Sequence, residues 1–128
     1  MKIGDVLAPY EGLTRKAKTD YLVEHFRVGG DPEFFLFDKK TKELVSAHPY
    51  VKGTKKDPHT VPGGATQLDG ISLEININAS RTFDEFLTNL DSVMTHARAM
   101  IPSELDIVPL PAVNIGTSDK SRKFFESL

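Results

Sequence analysis

Eight consecutive residues, Ile71 to Asn78, alternate without a break between aliphatic side chains (Ile71, Leu73, Ile75, Ile77) and polar ones (Ser72, Glu74, Asn76, Asn78). Successive side chains of a pleated strand point to opposite faces, so this period of two predicts a strand over Gly70–Asn78 with one face turned to a core. A helix must cover that face, and the next segment supplies it. Thr82 and Glu85 have the spacing of a capping box, and Phe83, Phe86, Leu87, Leu90, Val93, Met94, Ala97 and Ile101 form one apolar stripe before Pro102 stops the helix. The polar row of the strand is short or oxygen-bearing. By itself it fits a solvated antiparallel face better, although such a row also suits a hard cation such as magnesium, which prefers carboxylate and carbonyl oxygens.

The remaining elements are shorter. Thr14–Phe26 has helical spacing with Arg15, Lys16 and Lys18 outward, and Gly29-Gly30 is read as its stop. Glu33–Phe37 is aromatic and apolar, as expected of a strand buried on both faces, and Leu44–Ala47 reads as its hairpin return after the lysine-rich turn Asp38–Glu43. From His48 to Gly64, prolines at 49, 58 and 62 interrupt every period, which predicts a loop of about 16 residues; loops that long are usually functional or mobile. In Leu105–Val113, Pro109 and Pro111 remove two donors from the same side, which fits an edge strand or an extended segment. Ser118–Leu128 is read as a short final helix carrying Phe124, Phe125 and Leu128.

Composition narrows the classes. With 39% hydrophobic and 27% charged residues in 128, the chain is expected to be one globular domain spanning 1–128, not a disordered segment. A domain this small buries roughly two-thirds of its unfolded surface, enough for one modest core. Sixteen Lys and Arg against eighteen Asp and Glu leave a net charge of −2, so no positive field favours nucleic acid. The absence of cysteine removes disulfides, thiolate zinc sites and thiol nucleophiles. No apolar run approaches the roughly 20 residues of a membrane span, and Met1–Asp5 lacks a signal-peptide core; the expectation is a soluble, cytoplasmic protein with no membrane partner.

Two further segments carry chemistry. In Asp31-Pro32-Glu33 the carboxylates at i and i+2 share one side of an extended chain, and Pro32 forces Asp31 into that extended backbone. If this strand lies antiparallel to Gly70–Asn78, Glu33 and Glu74 meet across the sheet, where like charges repel unless a cation sits between them. The alternative is that Asp31 caps a turn and Glu33 is simply exposed. The loop Val51-Lys52-Gly53-Thr54-Lys55-Lys56-Asp57-Pro58 gathers lysines, a glycine and a hydroxyl that suit phosphate or a carboxylate, although it lacks P-loop spacing and such turns are also merely solvated. The four histidines are scattered, which argues against zinc, and no Gly-x-Ser-x-Gly elbow is present.

Taken in order, Gly29-Gly30-Asp31-Pro32-Glu33-Phe34-Phe35-Leu36, Val51-Lys52-Gly53-Thr54-Lys55 with Pro58, and Gly64-Ala65-Thr66-Gln67-Leu68-Asp69-Gly70-Ile71-Ser72-Leu73-Glu74-Ile75-Asn76-Ile77 resemble the phage amidoligase family of COOH–NH2 ligases over residues 28–102. That family is similar to the glutamine-synthetase and glutamate–cysteine-ligase superfamily. The resemblance implies an α+β fold: a curved, mainly antiparallel sheet with helices packed on one face and Mg-ATP on the other. It implies Asp31, Glu33 and Glu74 as magnesium ligands; Lys52, Gly53, Thr54 and Lys55 as nucleotide contacts; and Lys55 and Asn76 as catalytic residues. The implied reaction is ATP-driven activation of a carboxylate followed by amine attack, on amino-acid or peptide substrates, in the host cytoplasm if the protein is phage-encoded. Asp69-Gly70 departs from the family's more common Asp-Asn, and the chain matches only the N-terminal part of the family domain. A homo-oligomer or a second chain completing the sheet is therefore one expectation, and a non-catalytic structural or assembly domain is the alternative.

Overall fold

A computed structural model of the chain describes Pro9, residues 11–111, Arg122, Lys123 and Glu126. Helix α1 (Arg15–His25) is followed by strands β1 (Val28–Gly30), β2 (Glu33–Asp38), β3 (Leu44–Val45), β4 (His59–Val61), β5 (Gly64–Asp69) and β6 (Ser72–Ser80), then helix α2 (Phe83–Met100) and strand β7 (Leu105–Val108). The expected final helix lies outside the described residues except at Arg122, Lys123 and Glu126, which are helical. The fold is α+β, with one curled antiparallel sheet.

The sheet is ordered β3-β2-β6-β5-β4, with β1 also on β6 and β7 also on β2. β1 and β2 together make one bent strand beside β6. Gly30 faces Ile77 and Glu33 faces Glu74 in a single register, and Ile75 donates its N–H to the Pro32 carbonyl at 3.1 Å in between. A bulge between Val28 and Gly30 shifts the pairing by one residue, so that Val28 faces Ser80. The glycine pair expected to stop α1 is therefore strand. A Cβ on Gly29 would lie 3.0 Å from the Ile77 carbonyl oxygen, so the close approach of the two backbones favours glycine there.

The expected loop over 48–64 also contains a strand. β4 pairs with β5 through the two-residue turn Pro62-Gly63, in which Gly63 has φ 92°, matching a type II turn with Pro first and Gly second. β5 then pairs with β6 along its whole length through Gly70-Ile71, and Gly70 at φ 57° supplies the positive φ that a tight hairpin needs at its first central position. β2 has Leu36 buried, Glu33 exposed and the rest half-buried, and is not covered throughout on both faces as its composition suggests. Leu36 pairs with Val45 on one side and Ile107 on the other. β7 ends at Val108, before Pro109, and pairs among the described residues with β2 alone, as an edge strand should.

α2 packs on β5 and β6. Thr82 caps it: its hydroxyl accepts the Glu85 N–H at 3.1 Å, while the Glu85 carboxylate accepts the Arg81 N–H at 3.0 Å, one residue before the partner of a standard box. Val93, Met94 and Ala97 meet Leu73, Ile75 and Ile77 in one core with Leu36, Ala47, Val51, Val61 and Ile101. Each fully buried aliphatic side chain in it contributes about 1.5–3 kcal/mol relative to exposure. The first turns of the stripe are covered only in part: Phe86 packs against the core, but Phe83 is 74% and Leu87 42% exposed.

Candidate functional site

The sheet face opposite Leu73, Ile75 and Ile77 carries Ser72, Glu74 and Asn76 on β6. Strand pairing sets the neighbours of that row. Glu33 faces Glu74 from β2, Gln67 faces Glu74 from β5, and Asp69, two residues further along β5, faces Ser72 on the same side. Carboxylate oxygens of Glu33, Asp69 and Glu74 all lie within 4.8 Å of one another.

Polarity does not mean exposure on this face. Glu74 is only 7% exposed and Gln67 only 5%. The Gln67 Nε2 group donates to Glu74 Oε2, and Asn76 Nδ2 donates to Gln67 Oε1 at 2.9 Å. An ionised carboxylate accepts and cannot donate, so Glu74 turns the Gln67 amide nitrogen toward itself and the Gln67 oxygen toward Asn76. The two amides thus form a directed chain that ends on the carboxylate.

Electrostatics at the cluster are unfavourable without a cation. Glu33 is raised above the ordinary carboxylate value of 4.5, first by a hydrogen bond with the Asp69 carboxyl, then by desolvation, and then by the charges of Asp69, Glu74 and Asp31. A hydrogen bond between two carboxyl groups needs a proton between them. Glu74 is raised first by burial and then by Asp69 and Asp31, with Lys55 acting in the opposite direction. Three oxygen donors around one point, two of them with raised affinity for a proton, make a donor set suited to a small hard cation.

The residues singled out in the sequence are distributed as follows. Glu33 and Glu74 lie opposite each other. Asp31 stands in the bend between β1 and β2, where its field reaches both glutamates, but the third carboxylate of the close group is Asp69. Asn76 lies on the same row with its amide nitrogen given to Gln67. Lys52, Thr54 and Lys55 are exposed. Thr54 and Asp57 exchange backbone hydrogen bonds at 3.0 and 3.2 Å, leaving Lys55 and Lys56 at the tip of a tight turn, and Thr54 Oγ1 accepts the Asp57 N–H at 3.1 Å.

Gly53 has a structural reason to be glycine. Its φ is 101°, and a Cβ there would lie 2.2 Å from the Thr66 carbonyl oxygen and 2.5 Å from the His59 nitrogen. The segment continues the sheet past β4: Leu68 donates its N–H to Gly53 O at 3.0 Å, and the Thr66 hydroxyl donates to Lys52 O at 2.8 Å. His48 Nε2 donates to Gly70 O at 2.8 Å and so ties this side of the sheet to the β5–β6 turn.

Asp69 and Gln67 are the two members that the sequence reading left out. Asp69-Gly70 is itself a hairpin dipeptide, and a hairpin turn at that position puts Asp69 and Gln67 on the Glu74 face by parity. Comparison with known proteins adds no relative: no family model, no curated protein and no solved structure matches the chain.

Proposed function

We propose that this face of the sheet binds magnesium together with ATP, and that the chain is a carboxylate–amine ligase or the N-terminal part of one. The observation that carries the reading is the convergence of Glu33, Asp69 and Glu74 from three adjacent strands onto one point. The motif order that resembles the amidoligases and the curled antiparallel sheet support it, with the polar face taken as the counterpart of the concave Mg-ATP face of glutamine-synthetase-like enzymes.

In this reading Glu33, Asp69 and Glu74 hold the ion, with Asp31 adding negative field beside them. Magnesium would supply charge neutralisation between the nucleotide phosphates during activation of the substrate carboxylate. Lys55, whose charge already reaches Glu74, places a cation where the phosphates would lie. Gly53 serves the nucleotide only indirectly, by letting the Lys52–Asp57 turn sit close against β5. Amide formation then follows from attack of the amine on the activated carboxylate, with phosphate leaving.

Titration calorimetry with Mg-ATP on the wild type and on Glu74→Gln tests the reading. The expected result is binding by the wild type and at least tenfold weaker binding by the variant, with cooperative melting retained by both. Absence of binding by the folded wild type at millimolar Mg-ATP refutes it. A non-catalytic interaction domain is the second reading, favoured by the uncovered Phe83 and Leu87 on α2. That reading expects a folded protein with no nucleotide binding and with self-association or partner binding lost in Leu87→Lys.

A further inference from the structure

The pair formed by buried Gln67 and half-buried Asn76 stands out for being polar and directional at a site where the surrounding groups are acidic. Gln67 faces Glu74 and Asn76 faces Ala65 in the β5–β6 register, so the Asn76-to-Gln67 bond runs diagonally across two strands and the Gln67-to-Glu74 bond runs straight across them. A glutamine side chain in this position has two possible amide orientations. The ionised Glu74 carboxylate, which only accepts, selects the one with the nitrogen toward itself, and Asn76 Nδ2 holds that choice by donating to the Gln67 oxygen. With that end fixed, the Gln67 nitrogen is held on Glu74 Oε2, which leaves Oε1 for another partner.

We propose that Gln67 and Asn76 are positioning residues that act as an amide relay, orienting the Glu74 carboxylate for a divalent cation; the inference rests on the magnesium-site reading above. Groups that hydrogen-bond a metal ligand fix its orientation, and their removal typically weakens metal affinity by about 10- to 100-fold. The relay assigns Asn76 a role through Glu74 by way of Gln67, in place of direct contact with substrate. It also explains why an amide that adds no charge, Gln67, is buried beside three carboxylates with a second, half-buried amide behind it.

Two substitutions separate orientation from charge. Asn76→Asp adds a negative group on the cluster's own face, so a site held by charge alone binds a cation more tightly. The relay requires the opposite. An aspartate at 76 accepts and cannot donate, so it competes with Glu74 for the Gln67 nitrogen, and in either orientation the Gln67 oxygen faces a carboxylate, where two acceptors meet. Gln67→Met keeps the volume and removes both hydrogen bonds without changing charge.

The experiment titrates Mn2+ into nucleotide-free wild type, Asn76→Asp and Gln67→Met, follows free Mn2+ by electron paramagnetic resonance, and checks each fold by thermal melting. Both variants are expected to bind Mn2+ about 10- to 100-fold more weakly than the wild type while still melting cooperatively. Tighter or unchanged binding by Asn76→Asp, or unchanged binding by Gln67→Met, overturns the relay and leaves the metal site standing. Should Asn76→Asp fail to fold, Gln67→Met decides alone. A wild type that does not bind Mn2+ at millimolar concentration overturns the site and the relay with it.

Discussion

Replacing Gly53 by alanine separates a glycine kept for the fold from one kept for a ligand. Two costs arise at once. The backbone at φ 101° is one that L side chains rarely adopt, and the new Cβ would overlap the Thr66 oxygen and the His59 nitrogen, at 2.2 and 2.5 Å. The chain escapes both by lifting the Lys52–Thr54 segment away from β5, which bounds the loss. That movement breaks the Leu68-to-Gly53 backbone bond and the Thr66-to-Lys52 bond, each contributing about 0.5–1.5 kcal/mol, and it leaves the hydroxyl of fully buried Thr66 without its oxygen acceptor. Taking the stranded hydroxyl at about 1–3 kcal/mol in place of its own bond, the sum is about 1.5–4.5 kcal/mol. Gly70→Ala is the internal control: its φ is also positive, at 57°, but nothing lies within 4 Å of a Cβ there, so only the left-handed cost of about 1–2 kcal/mol remains. Urea unfolding of the ligand-free proteins measures the difference. Equal losses for the two variants, or a loss below about 1 kcal/mol for Gly53→Ala, would refute the close-approach account and return Gly53 to a ligand-binding role.

Acidity should act in the opposite direction to ordinary acid denaturation over part of its range. Glu33 and Glu74 bind protons more readily folded than unfolded, so their contribution to stability is full below the ordinary value of 4.5 and is lost as pH rises through their raised folded values. Metal-free protein is therefore expected to gain stability in urea titrations as pH falls from neutral toward that value, and Glu74→Gln to flatten the trend; a wild-type curve without slope there contradicts the cluster. At lower pH, protonation of Asp38, held below its ordinary 3.8 by the Thr41 and Lys40 N–H groups, reverses the gain. Leu73→Asp places an unpaired charge in the fully buried core and should abolish cooperative melting, whereas Glu74→Gln should retain it; similar melting of both would invert the assigned faces.

What the sequence made legible is mostly what periodicity encodes. β6, α2 and its cap and the short edge at β7 follow from side-chain spacing, whereas the facing of Glu33 and Glu74 follows only on the condition that β2 lies antiparallel to β6, as it does. β5 was hidden because Gly64–Asp69 mixes Gly, Ala, Thr, Gln, Leu and Asp without alternation, yet it is bracketed by Pro62-Gly63 and Asp69-Gly70, two turn pairs whose conformational demands mark both of its ends. Glycine was ambiguous for the same reason. At 29 and 30 it reads as a helix stop, whereas position 29 serves a close backbone approach that becomes visible only once the partner strand is known. Alternation also separates polar from apolar faces without saying which is wet: Ser72 and Glu74 are polar and buried, with the Ser72 hydroxyl given to the Asp69 carbonyl and Glu74 accepting from Gln67.

The bulge between Val28 and Gly30 has a consequence for how the chain tolerates changes in length. Pairing upstream of it is already offset by one residue from the register that sets Glu33 against Glu74. A residue gained or lost before Gly30 can thus be taken up at a place where the ladder is irregular, and the carboxylates stay opposed. Between Pro32 and Leu36 no such slack exists, because a single-residue shift there turns every side chain of β2 to the other face and carries Glu33 away from its partners. The bulge insulates the alignment of the acidic group from whatever precedes it in the chain.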